Sequence, residues 1–85
     1  MALRILYFAW VREKVGAAEE QIEPPADAAT VGALVAWLAS RSDGHRAAFA
    51  DLARIRVAVD QAFADFDAAI VGAREIAFFP PVTGG

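Results

Sequence analysis

The residues with the most chemistry to offer are the last two, Gly84 and Gly85, which follow Phe78-Phe79-Pro80-Pro81-Val82-Thr83. A chain ending this way presents its main-chain carboxylate on a stalk without side chains, because glycine lacks a Cβ and takes backbone angles closed to other residues. Such a stalk passes between walls that would exclude a branched side chain. Pro80-Pro81 restricts φ at two successive positions and removes two backbone donors, so it ends the preceding strand and begins a stiff, extended spacer. The stretch from Pro80 to Gly85 can reach roughly 20 Å at ~3.3 Å per residue. The expectation is a carboxylate delivered into another protein's site; the alternative is an ordinary frayed chain end.

Other reactive side chains offer less. His45 is the only histidine; it stands beside Gly44 in a polar turn and reads as a surface residue rather than a base. Asp65 and Asp67 stand two apart near a turn, with no histidine or further carboxylate cluster to complete a metal site, and read as solvated loop charges. The chain has no cysteine, which excludes a disulfide framework, a thiolate metal site and a persulfide on a side chain.

Eighty-five residues make one domain, expected to bury about 60 to 65% of its unfolded surface. Of the 58% hydrophobic content, 21 residues are alanine, and the larger apolar residues that remain suffice for a single compact core. Net charge is −3, with eight basic residues scattered along the chain. No basic stripe of the kind a phosphate backbone demands is present, so nucleic acid is not an expected partner. Leu3 to Val11 is apolar but interrupted by Arg4 and lacks both a basic leader and a small-residue cleavage site, so it does not read as a secretory signal. No stretch is long enough to span a bilayer. The expected compartment is the cytoplasm, with no membrane partner.

The elements that must position the tail follow from periodicity. Leu3 to Phe8 is rich in β-formers and reads as a first strand, and Glu20 to Glu23 as a weaker second one after a turn near Gly16. Thr30 is a good N-cap, and Val31, Leu34, Val35 and Leu38 recur at helical spacing, which predicts a helix ending near Ser40. Ser42-Asp43-Gly44 reads as a turn, followed by a short helix with Phe49 and Leu52 inward. Ile55 to Val59 alternates and predicts a strand; Phe63 to Phe66 reads as a short edge strand, Val71-Gly72-Ala73 as a turn, and Arg74 to Phe79 as the last strand. One sheet with one main helix on one face fits this order and length. The expected class is α+β, a ubiquitin-like β-grasp with a mixed sheet, whose domain spans residues 1–79 and whose flexible C-terminal tail spans 80–85. In that fold the first and last strands are parallel neighbours in the middle of the sheet.

Strand parity then sorts the aromatic residues. Phe8 shares a face with Arg4 and Leu6, opposite Leu3, Ile5 and Tyr7; Phe79 shares a face with Glu75 and Ala77, opposite Ile76 and Phe78. The faces with Arg4 and Glu75 should point away from the helix. Phe8 and Phe79 are then expected on an exposed face beside the point where the tail departs, as a protein contact, while Phe78 belongs to the core.

Three segments, Tyr7-Phe8-Ala9-Trp10-Val11-Arg12-Glu13, Val57-Ala58-Val59-Asp60-Gln61 and Glu75-Ile76-Ala77-Phe78-Phe79-Pro80-Pro81-Val82-Thr83-Gly84-Gly85, resemble the small, sulfur-carrying subunits of molybdopterin synthases, the MoaD family. The resemblance spans the chain, and its C-terminal motif is specific, since other β-grasp carriers end in Gly-Gly without Phe-Phe-Pro-Pro before it. The chain departs from many members at Asp60, where they have Asn. The resemblance implies that Gly85 is adenylated by a ubiquitin-activating-like adenylyltransferase using ATP and Mg, converted to a thiocarboxylate, and inserted with Gly84 into the large subunit, where its sulfur attacks a cyclic pterin precursor. It implies no cofactor on this chain, a catalytic pocket on the large subunit, and a heterotetramer of two small and two large subunits. It adds Phe63 to Phe8 and Phe79 as a docking residue, with Pro80, Pro81, Val82 and Thr83 as the partner-bound spacer. Two relatives in chemistry remain open beside it, a thiamine-pathway sulfur carrier and a ubiquitin-like protein modifier, as does a plain binding module.

Overall fold

The computed structural model describes residues 2–81. Five strands form one sheet: β1 (Leu3–Tyr7), β2 (Glu19–Ile22), β3 (Arg56–Val59), β4 (Ala62–Ala64) and β5 (Glu75–Phe79), in the order β2-β1-β5-β3-β4. β1 and β5 are parallel neighbours, with Arg4 opposite Glu75 and Tyr7 opposite Phe78; every other pairing is antiparallel. Three helices, α1 (Ala9–Val15), α2 (Val31–Ala39) and α3 (Asp43–Ala48), complete the domain, with a 3₁₀ turn over Leu52–Arg54. This is the ubiquitin-like β-grasp arrangement, α+β with a mixed sheet. No helix among the described residues is long and apolar enough to cross a membrane.

The core lies where parity puts it. Leu3, Ile5 and Tyr7 of β1, Ile76 and Phe78 of β5, and Val57 of β3 are buried against Val31, Leu34, Val35 and Leu38 of α2. Phe78 is the hub: fully buried, it stacks on Tyr7 with ring centroids 6.3 Å apart and meets Phe49 edge-on at 5.0 Å. Aromatic pairs in these geometries add to the stabilisation that burial alone provides.

α2 begins as its sequence predicts, because each of its early N–H groups finds an acceptor. Thr30 Oγ1 accepts from the Ala33 N–H at 3.1 Å. The loop before β5 supplies two more acceptors, the Ala68 carbonyl for Val31 and the Phe66 carbonyl for Gly32, and Leu34 donates to the Thr30 carbonyl. Orphan donors at a buried helix start are costly, so these contacts fix the loop against α2.

Two expectations are corrected here. The first strand ends at Tyr7 rather than Phe8, and the stretch between it and Gly16, which the sequence pattern assigns to no element, forms α1. Ala9 makes this sharp bend at φ 53, a left-handed value uncommon for alanine, and Gly16 closes the helix at φ 92 with its N–H on the Arg12 carbonyl at 2.8 Å. Val11 and Val15, one helical turn apart, face the core. Leu52, expected inward, is exposed, because the chain there forms a 3₁₀ turn whose following residue, Ile55, enters the core in its place.

The turn from β3 to β4 has two central residues, Asp60 and Gln61, at φ 49 and 71, the pattern a tight primed hairpin requires. Asp tolerates this region better than most residues. Its Oδ1 also accepts from the Arg74 and Glu75 N–H groups at 2.9 and 3.0 Å, tying the hairpin to the start of β5. Asp60 is thus compatible with the turn where many members of the resembled family have Asn.

Candidate functional site

The sheet face opposite α2 is built in rows. At one end lie charges, with Arg4 paired to Glu75 at 2.7 Å and Gln21 opposite Arg4. The next row is apolar and shallow, running Leu6, Ala77, Ala58 and Phe63 across four strands by register. Beyond it come Phe8, Phe79 and Arg56, where Arg56 stands directly opposite Phe79. Phe8 follows β1 in an extended conformation and its N–H donates to the Phe78 carbonyl at 3.1 Å, so the parallel register of β1 and β5 continues to this row.

Each aromatic residue expected on this face is there. Phe8 is 48% exposed and Phe63 83% exposed. Phe79 is half-buried because the Phe63 ring lies over it, centroids 5.8 Å apart and tilted by 49°. Phe78, on the opposite face, has no exposed surface. Phe63 at that exposure, beside Phe79 and with Phe8 in the next row, makes an exposed apolar patch of the kind that proteins commonly use for contacts. Pro80 and Pro81 leave β5 from the middle of this sheet, between the strands that carry Phe8 and Arg56. Val82, Thr83, Gly84 and Gly85 lie outside the described residues.

A second cluster was not legible in the sequence. His45, expected at the surface, is 6% exposed. Its Nε2 lies 2.7 Å from Glu20 Oε1 and its Nδ1 2.7 Å from Ser42 Oγ, while the Tyr7 hydroxyl donates to the same Glu20 oxygen at 2.8 Å. Burial, and then the Glu20 hydrogen bond, push the Tyr7 phenol well above its ordinary range, so it stays a donor. Burial alone would raise the Glu20 carboxyl, but the hydrogen bonds from His45 and Tyr7, with the nearby Arg41 charge, hold it below its ordinary value. The order Ser–His–Glu invites comparison with a nucleophilic triad. Ser42 Oγ, however, accepts the His45 backbone N–H at 3.1 Å as the N-cap of α3, which is a structural use of the hydroxyl. The cluster joins β1, β2 and α3 and satisfies every polar atom it buries. Histidine burial here depends on Glu20, 25 residues away, which local sequence cannot show.

Asp65 serves its own loop, with Oδ1 accepting from the Asp67 N–H at 2.9 Å. No group of three or more His, Cys, Asp or Glu side chains suited to a metal ion occurs among the described residues. The apolar face with the departing tail is therefore the feature that asks for a partner.

Comparison with known proteins bears on this face. The chain is 42% identical over 83 residues to a protein of Escherichia coli (strain K12) named molybdopterin synthase sulfur carrier subunit, covering 98% of this chain and 99% of that one. A Haemophilus influenzae protein of the same name is 39% identical over 83 residues, covering the same shares. In three dimensions the chain is similar to the crystal structure of SAMP1 from Haloferax volcanii, with a TM-score of 0.76 and 26% identity over the whole of both chains. The ThiS family model matches residues 5–85, from within β1 through Gly85, and the chain belongs to the ThiS family.

Proposed function

We propose that this chain is the sulfur-carrier subunit of a molybdopterin synthase, with Gly85 as the residue that carries sulfur. The observation that carries the reading is a family match running through Gly85, in a chain whose central strand β5 sends Pro80-Pro81 out beside an exposed apolar face. The names of the E. coli and H. influenzae relatives favour the molybdopterin pathway over the thiamine pathway for the same tail chemistry.

A free carboxylate is a poor acyl donor. In the proposed cycle an adenylyltransferase lets a Gly85 carboxylate oxygen attack the α-phosphate of ATP, bound there with Mg, and pyrophosphate leaves. A sulfur nucleophile at the sulfide level then attacks the acyl carbon, AMP departs with the bridging oxygen, and a thiocarboxylate remains. With no cysteine in the chain, sulfur rides on the main chain. The tail, from Pro80 through Val82, Thr83 and Gly84, enters the large subunit, whose pocket supplies the catalytic groups. There the thiocarboxylate sulfur bonds to a carbon of the cyclic pterin precursor in place of an oxygen substituent, and water cleaves the acyl–sulfur bond, which returns Gly85 as a carboxylate and leaves the sulfur on the pterin. Phe8, Phe63 and Phe79 dock the body of the carrier in a heterotetramer of two small and two large subunits, in the cytoplasm. The chain itself binds no cofactor in this cycle.

Deletion of Gly85 tests the reading. It should abolish sulfur transfer while the thermal melt stays that of the wild type, because the buried core is built from residues between Leu3 and Phe78 and chain ends carry little of a fold's stability. Full sulfur transfer by the shortened chain would refute it.

A further inference from the structure

The arginines of this chain are held in different ways. Arg4 is neutralised by Glu75 and Arg46 by Asp43, and Arg41 lies on the Trp37 ring where its charge acts on Glu20. Arg12, Arg54, Arg56 and Arg74 are exposed and have no carboxylate within ion-pair distance among the described residues, and of these Arg54 and Arg56 adjoin the start of β3. Both are nonetheless held in place. The Arg56 guanidinium donates from Nη1 to the Ala53 and Ile55 carbonyls at 3.2 and 3.1 Å. Arg54 lies over the Trp10 ring, 5.5 Å from its centroid. The acid nearest to Arg54 in sequence, Asp51, spends its carboxylate on the Ala53 N–H at 3.2 Å, capping the 3₁₀ turn, and the one nearest to Arg56, Asp60, accepts from the Arg74 and Glu75 N–H groups.

Their place in the fold gives this pinning a meaning. β3 runs antiparallel to β5, so the start of β3, with Arg56 opposite Phe79, lies at the end of the sheet where the tail leaves. β1 runs parallel to β5, so α1 and Trp10 follow at that same end. The Arg54–Trp10 contact therefore joins the segments beside the two strands that flank β5. Two unneutralised, preorganised guanidinium groups border the aromatic row from which Pro80 departs, on a chain whose net charge is −3. Planar guanidinium is weakly hydrated and pairs with carboxylates in two-point geometry, and holding it in advance lowers the entropy lost on binding.

We propose that Arg54 and Arg56 form a basic rim that steers the tail exit onto an acidic protein surface at the mouth of the site receiving the tail. The inference rests on the docking role proposed above for the apolar face, and it adds the charge of the partner surface. Rim charges act mainly on the association rate and its salt dependence rather than on the final packing.

The test measures association of the full chain with a molybdopterin synthase large subunit from the same organism, by stopped flow across a range of salt concentrations. Four proteins are compared: wild type, Arg54→Glu/Arg56→Glu, Phe79→Asp, and Arg4→Glu/Arg74→Glu, which changes net charge equally but at the opposite end of the sheet from the tail exit. The wild-type rate should fall as salt rises. The Arg54/Arg56 reversal should associate at least about tenfold more slowly at low salt and lose that salt dependence, while the control stays within about threefold of wild type. Thermal melts accompany each variant, and Arg54→Gln/Arg56→Gln replaces the reversal if the latter unfolds, with a smaller slowing in the same direction. Wild-type kinetics in the folded Arg54/Arg56 variants, with Phe79→Asp still impaired, would overturn the basic rim and leave the docking face standing. A wild-type rate that rises with salt would also overturn it. Unimpaired binding by Phe79→Asp would remove the docking face and the inference with it.

Discussion

Phe78 and Phe79 are adjacent, chemically identical and assigned opposite roles, so replacing each in turn separates folding from docking. Phe78 has no exposed surface and packs on Tyr7 and Phe49. Truncating a buried phenylalanine to alanine costs ~3 to 5 kcal/mol, and in a domain of this size each kcal/mol lowers the melting temperature by about 4 to 8 °C. Phe78→Ala should therefore melt at least about 12 °C below wild type. Phe79 faces outward and its principal aromatic neighbour is Phe63, itself 83% exposed. Phe79→Asp removes one ring from a surface pair and leaves the carboxylate in water, so its melting temperature should stay within a few degrees of wild type. Docking is another matter: an aromatic anchor buried at an interface contributes ~2 kcal/mol or more, which is over tenfold in affinity. Calorimetric melts beside titration calorimetry against the large subunit read both quantities. If Phe79→Asp unfolds the domain while Phe78→Asp melts normally, the two sheet faces are assigned the wrong way round. If Phe79→Asp folds and binds as wild type does, the apolar face is not the docking surface.

Two further predictions concern the helices and the buried polar cluster. Gly44 of α3 has no room for a Cβ, which would run into the Lys14 carbonyl at the end of α1, so Gly44→Ala should cost ~1 to 3 kcal/mol by overpacking; a melt at or above that of wild type would show that α1 and α3 separate freely. Glu20 is held below its ordinary carboxyl value in the folded chain by His45 and Tyr7, near Arg41, so the unfolded chain binds the proton first as pH falls. Its contribution to stability is full above the unfolded value and is lost as pH drops through the lowered folded value. Urea unfolding of wild type and Glu20→Gln from neutral pH downward should show the wild type losing the larger share of its stability in that acid window, and parallel losses would contradict the assignment.

The parts of this fold that were legible are those that local periodicity controls. Alternation in β1 and β5 sorted Phe78 from Phe79, and Thr30 with the Val31–Leu38 spacing located α2 to within a residue. α1 escaped because its stripe is only Val11 and Val15, its aromatic and β-branched residues suit a strand equally well, and its start depends on Ala9 adopting a positive φ that no sequence rule assigns to alanine. Gly16 was recognised as a turn residue, but a left-handed glycine also ends helices, and that signal could have found α1. His45 and Leu52 were placed on the wrong sides of the surface for different reasons: His45 is buried on Glu20, 25 residues earlier, a contact that a short window does not contain, whereas Leu52 begins a 3₁₀ turn in which the α-helical period does not hold. On the candidate site, the apolar row of Leu6 and Ala77 followed from parity, whereas the held state of Arg54 depends on Trp10, 44 positions earlier in the chain.

The central claim is that sulfur is carried on the main chain at Gly85, and intact-mass spectrometry of the protein isolated from cells that make molybdenum cofactor tests it most directly. Free protein should be heavier by the difference between one sulfur and one oxygen atom, with fragmentation placing the increment on Gly85 and incubation with the large subunit and pterin precursor removing it. Protein of unshifted mass, recovered instead as branched conjugates through Gly85 to lysines of other proteins, would contradict it and identify the chain as a modifier.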